Sequence, residues 1–233
     1  FPEPSLNLLW QVQALAVTGP INAAELASLP LPERYIISQC HSLVGSVTSQ
    51  VCNHRPNHRP NHSRYHRVTT VCPVTLQLQT YDFGPAGQAI YAFLWDEYAD
   101  WYLEISKRRI GGDDPLAAAQ ARRTLVYVLD SCLRLLHPYM PFITEELWQK
   151  LPHAGDSLMI SRWPVMDEDE ALPLDSDAVD TFESMRALVR SVRNARAEYR
   201  VEPAKKISAA VVASPSLAAE VEKEADALAF LAR

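Results

Sequence analysis

Only 7 of the 233 residues are glycine. None of them builds a phosphate-cradling loop, a Rossmann fingerprint or a nucleophile elbow. No histidine-based signature or lysine loop for ATP occurs either, so the chain presents no self-sufficient active site. Its four cysteines, Cys40, Cys52, Cys72 and Cys132, include no CxxC pair. This points to a reducing compartment and no disulfide framework. Cys132 lies in an apolar helical run and reads as a buried thiol. No apolar run approaches the roughly 20 residues that a membrane span needs, so no membrane partner is expected. The first residues have neither signal nor transit character, and the chain begins with Phe1, which suggests a fragment. Cations are outnumbered, 22 Lys and Arg against 28 Asp and Glu, for a net charge of −6. That balance argues against a surface given over wholly to nucleic acid and leaves room for a local basic face.

What is present favours helices around a real core. Hydrophobic residues make up 48% of the chain, enough for one main domain plus an appendage. Scarce Gly with abundant Ala, Leu and Arg favours α-helix. Residues 1–30 form an irregular lead-in. Leu6, Leu8, Leu9, Trp10, Val12 and Leu15 could make a short helix, and Asn22 reads as the N-cap of another ending at Ser28. From Leu31 to about Ser49, Tyr35, Ile36, Cys40, Leu43, Val44 and Val47 recur at helical spacing, with Pro32 in the first turn. Residues 51–80 break the pattern. A tetrapeptide repeat places His54, His58 and His62, then His66, between Cys52 and Cys72. Pro56 and Pro60 forbid a regular helix there, so the spacing puts no histidines on one face. The composition reads as a disordered insertion rather than a zinc site or a basic arm for nucleic acid, and no metal ligand is assigned.

Tyr81 to Arg109 reads as one helix capped by Asp82. Ile90, Phe93, Leu94, Tyr98, Trp101, Tyr102 and Ile105 form a broad apolar face. Asp96, Asp100 and Glu104 make an acidic stripe, with Glu104 placed to pair with Arg108. Gly111-Gly112 ends the helix, and Asp113-Asp114-Pro115 caps the next, which runs to about His137. The stretch RLLHPYMPFITEELWQKL is then a helix, a proline corner and a second helix. Thr144, Glu145 and Glu146 lie in the first turn of that second helix and face the positive end of its dipole. Leu147, Trp148 and Leu151 are its apolar side. Ile160 to Pro164 reads as a short extended piece that tucks Trp163 onto the bundle. Asp177 to about Tyr199 is helical, with Met185, Leu188, Val189, Val192 and Ala195 as its apolar side. Arg186, Arg190, Arg193, Arg196 and Arg200 share one face, either a solvated helix surface or an RNA backbone contact. Ser208 to Ala213 reads as a short strand and Ser216 to Arg233 as a helix.

The runs YDFGPAGQAIYAFLWDEYADWYLEISKRR, RLLHPYMPFITEELWQKLP, LMISRWP and RNARAEYRVEPAKKI resemble, in order and spacing, the valyl-tRNA synthetase family. The likeness covers about 31–50 and 81–233. It implies a mainly α fold: an antiparallel helical bundle of the class I synthetase anticodon-binding type over 31–200, interrupted by the insertion 51–80. A small α/β appendage over 201–233 would lead toward a coiled-coil arm. The HIGH-like and KMSKS-like signatures are absent, and only Asn7, Leu9 and Trp10 echo the NKLWNA helix. By resemblance, Leu103, Glu104 and Lys107 are anticodon-loop contacts, Arg108 and Arg109 backbone contacts, and Tyr102 a stacking platform. The arginine row adds Arg186, Arg190 and Arg193. The implied partners are tRNA(Val) and a parent catalytic domain, in a monomer. No cofactor is expected in this segment, ATP and Mg²⁺ serving the parent enzyme, which joins valine to tRNA and edits mischarged tRNA. The implied compartment is the cytoplasm, chloroplast or mitochondrion. The rival reading is a non-catalytic, truncated helical interaction module without RNA specificity.

Overall fold

A computed structural model describes residues 21–48, 83–164, 174–202 and 204–232. The readings of residues 1–20, of the histidine–proline insertion with Cys52 and Cys72, of the Asp82 cap and of the Val47 side chain lie outside the described residues.

Asn22 caps α1 (Ala23–Ser28), its side-chain oxygen accepting from the Glu25 amide at 2.8 Å. This satisfies one of the amides that a helix start leaves without an intrahelical partner. The next helix, α2 (Leu31–Thr48), is the centre of the bundle. Tyr35, Ile36, Ile37, Cys40 and Val44 are all buried. Consecutive apolar residues point to more than one side, so the helix is covered on several faces.

The stretch expected to be one α-helix is built from three pieces. α3 (Phe83–Ala92) passes into a π-helical segment, Phe93–Leu103, and then into α4 (Glu104–Ile110). A π turn bonds i to i+5, so residues four apart no longer lie one above the other. Glu104 pairs with Lys107 at 2.5 Å, three residues on, rather than with Arg108.

α5 (Pro115–Leu136) starts as its sequence suggests. The Asp114 side chain accepts from the amides of Leu116 and Ala117 at 2.9 and 3.3 Å, and Pro115 occupies the first turn. At the proline corner the Tyr139 and Met140 amides both reach back to the Leu136 carbonyl. α6 (Pro141–Trp148) follows at once. Trp148 is wholly buried, and its indole N–H donates to Asp130 at 2.7 Å. Leu147 differs from expectation and is half exposed. Glu145 reaches forward to the Ser157 hydroxyl and the Leu158 amide, at 3.1 and 3.0 Å. That contact anchors a 3₁₀ turn, Leu158–Ile160. Ile160 is exposed, whereas Trp163 packs partly buried against the main core.

α7 (Ser176–Glu198) is capped by Asp175, which accepts from the Ala178 amide and also pairs with Arg34 of α2 at 2.9 Å. α2 packs on α5, on α7 and on the π-helical segment, so the core lies around it. The chain ends its described part with α8 (Pro215–Lys223) and α9 (Ala225–Leu231). The single helix expected there breaks at Glu224. The strand expected over Ser208–Ala213 does not form. Those residues are non-helical coil, largely exposed, and among the described residues no strand exists to pair with them. A strand without a ladder partner leaves its backbone groups to water and gains nothing from pairing. The described molecule is therefore an α-helical bundle, and the α/β appendage is coil followed by two helices.

Candidate nucleic-acid interface

The expected contacts divide sharply once the helices are in place. Tyr102, expected to stack on a base, is 1% exposed. Its hydroxyl faces a Glu33 carboxylate oxygen at 3.3 Å and the Ala121 carbonyl at 3.4 Å. Burial pushes this phenol well above its ordinary range, and no ring face is open to RNA. Arg109 is also withdrawn. Its guanidinium donates to Glu33 at 2.7 Å and to Glu224 at 2.5 Å. Burial works against its charge, and the two carboxylates outweigh that and hold it above its usual value. Arg109 is thus a tie between α2, α4 and the start of α9, not a free phosphate ligand. The Glu33 carboxyl is pushed up to about 7 by burial, with Arg109 pulling the other way.

The arginine row of α7 is corrected in the same way. At about 100° per residue, steps of three fall back by about 60° while steps of four advance by about 40°. The row therefore spreads over more than one face: Arg186 borders the buried line of Ala178, Phe182, Met185 and Val189, and Arg196 falls on it. Arg186 is buried among Tyr35, Glu97 and Glu183. Its guanidinium lies 4.8 Å from the Trp101 ring. Arg196 is buried too, donating to the carbonyls of Glu202 and Lys205. Arg200 closes the helix in a left-handed conformation (φ 49°), with the Val201 amide on the Arg196 carbonyl at 2.8 Å. Glycine is the usual residue at such a position.

Lys107, Arg108, Arg190 and Arg193 reach the surface, and Leu103 and Glu104 are half-buried beside them. Two of these cations are brought together by the end of the C-terminal helical stretch, whose sequence marks no such role. The Arg108 guanidinium lies 5.3 Å from the Phe230 ring, and the Arg193 Nε donates to the Leu231 carbonyl at 2.6 Å. The last turn of α9 therefore sits between α4 and α7, with a cation from each. Lys205 and Lys206 are exposed beyond the α7 turn. No group of three or more His, Cys, Asp or Glu that could hold a metal ion occurs among the described residues.

The family model described as the anticodon-binding domain of tRNA ligase matches residues 63–212, a span that takes in α3 to α7. The chain belongs to this family. The chain is 40% identical over 211 residues to the chloroplastic/mitochondrial valine–tRNA ligase 2 of Arabidopsis thaliana. That alignment covers 89% of this chain and 18% of the relative. It is 41% identical over 160 residues to the valine–tRNA ligase of Oceanobacillus iheyensis, covering 68% of this chain and 18% of that protein. With the Bacillus cereus enzyme the figures are 43% over 138 residues, 59% and 15%. The chain thus spans less than a fifth of the length of these curated relatives.

Proposed function

We propose that this chain is the tRNA-binding part of a valine–tRNA ligase, and that it docks tRNA(Val) while chemistry takes place elsewhere in the polypeptide. The observation that carries the reading is the group of surface cations, Lys107, Arg108 and Arg190 with Arg193, on helices of a bundle whose relatives are valine–tRNA ligases. Exposed lysine and arginine side chains of this kind would serve as phosphate contacts. Glu104, held by Lys107, can accept from the edge of a splayed base, and the half-buried Leu103 directly precedes it in the chain. The full-length ligase uses ATP and Mg²⁺ to attach valine and clears mischarged tRNA. None of those steps is assigned to the residues described here. The compartment proposed is an organelle, the Arabidopsis relative being named chloroplastic/mitochondrial, and the state proposed is a monomer.

Filter binding across a salt series tests the reading. Valine tRNA should bind more tightly than a tRNA of another specificity. Lys107→Ala, Arg108→Ala and Arg190→Ala should each reduce the slope of log K against log salt by about 1. Equal affinity for both tRNAs would remove anticodon reading from this chain.

A further inference from the structure

A second surface of the bundle carries a concentration of exposed apolar side chains. Along α3 and into the π-helical segment, the exposed rings of Tyr91 and Trp95 stack with centroids 6.3 Å apart and planes within 4°. One turn before Tyr91, Gly87 has no side chain, and the Tyr139 ring closes over it. A Cβ there would lie 3.3 Å from that ring. The Tyr139 hydroxyl donates to the Phe83 carbonyl at 3.0 Å, which fixes the proline corner against α3. Past the corner stand Met140, Phe142 and Ile143, all exposed, Phe142 by 90%. The six side chains form one stripe that leaves on the order of 700 Å² of largely apolar surface in water, above the usual largest patch of a soluble monomer. None of them belongs to the cationic face.

We infer that this stripe is the docking surface for the part of the ligase polypeptide that lies outside this chain, met there by an apolar face of similar extent. The inference rests on the ligase reading above. More than four-fifths of each compared relative's length has no counterpart in this chain, so a large covalently linked partner is at hand. The exposed area is about what one side of a standard protein interface contributes. The chemistry disfavours RNA. Aliphatic Met140 and Ile143 offer no stacking face, and the exposed Asp96 and Asp100 beside Trp95 would repel a phosphate backbone.

The test compares Tyr91→Glu/Phe142→Glu with wild type in the full-length polypeptide and in this chain alone. In the full-length protein, limited proteolysis should release the bundle at least tenfold faster from the variant. In the isolated chain both rings are already in water, so the midpoint of thermal unfolding should hold within about 2 °C. Tyr91→Gln/Phe142→Gln, which adds no charge, should give a smaller acceleration in the same direction. An unchanged release rate in both variants overturns the inference. So does an isolated wild-type chain that dimerises through this face, or a tenfold loss of tRNA affinity in the isolated variant. Lack of preference for valine tRNA, with accelerated release intact, would sink the anticodon reading and leave the docking surface standing.

Discussion

Glu33 gives the sharpest test of how the bundle is held together. It lies on α2 at 0% exposure, bonded to Arg109, with the Tyr102 hydroxyl beside it. Burial raises its carboxyl from 4.5 to about 7 despite Arg109. A carboxyl raised on folding binds its proton more tightly in the native state than in the unfolded chain. Its contribution to stability is therefore fully present below about 4.5 and is lost as pH rises through about 7. At about 1.4 kcal/mol per decade of proton concentration, the loss across that window is about 3 kcal/mol. Glu33→Gln keeps the shape and removes the titration. Urea unfolding of both proteins at pH 5, 6, 7 and 8 isolates this one group, because every other ionisable residue is shared. The stability of wild type minus that of Glu33→Gln should fall steadily between pH 5 and 8, by a total of about 2–3 kcal/mol. A difference that stays flat over the range, or rises, would refute the assignment and mean that the ion pair with Arg109 outweighs burial.

Arg186→Met should lower stability by about 3 kcal/mol in the same assay, because it leaves Glu97 and Tyr35 facing an apolar group. Arg190→Ala, one turn away and exposed, should stay within about 0.5 kcal/mol. Arg200→Gly should raise the unfolding free energy by about 1 kcal/mol, since a left-handed backbone suits glycine. Trp148→Phe keeps most of the ring but deserts Asp130, and a loss of about 2 kcal/mol should appear as an earlier urea midpoint. Asp114→Ala removes the cap of α5 and should cost about 1 kcal/mol by the same measurement.

Local chemistry explains which parts of the fold could be read in advance. Asn22, Asp114 and the proline corner act on amides two to four residues away and behave as their sequence suggests, except that α6 starts at Pro141 and so leaves Glu145 and Glu146 in its second turn rather than its first. The helices α2, α5 and α7 also follow from their own apolar spacing. The π-helical segment was hidden because counting at 3.6 residues per turn presupposes the geometry it is meant to detect. The strand over Ser208–Ala213 failed because a short run with two valines states only what a strand would look like, whereas its formation depends on a partner. At the interface, the residue types were right and their availability was not. Whether Arg108 or Arg109 faces water depends on Glu33 and Glu224, far away in the chain. Arg186 is taken by Glu97 and Glu183, and only the assembled core shows it. Phe230 and Leu231 carry no charge or motif, so nothing marked them as neighbours of the cations.

The two described cysteines have a use that has nothing to do with RNA. Cys40 on α2 and Cys132 on α5 are wholly buried in the same core, and the Cys132 thiol is pushed well above its ordinary range, first by its contact with Cys40 and then by burial. A thiol so placed is close to inert toward alkylating reagents. It reacts when α2 and α5 part, so the alkylation rate at these two positions is a clock for opening of the bundle's centre. Read site by site, and so apart from Cys52 and Cys72, that clock reports whether a bound tRNA slows the breathing of the helices that carry it.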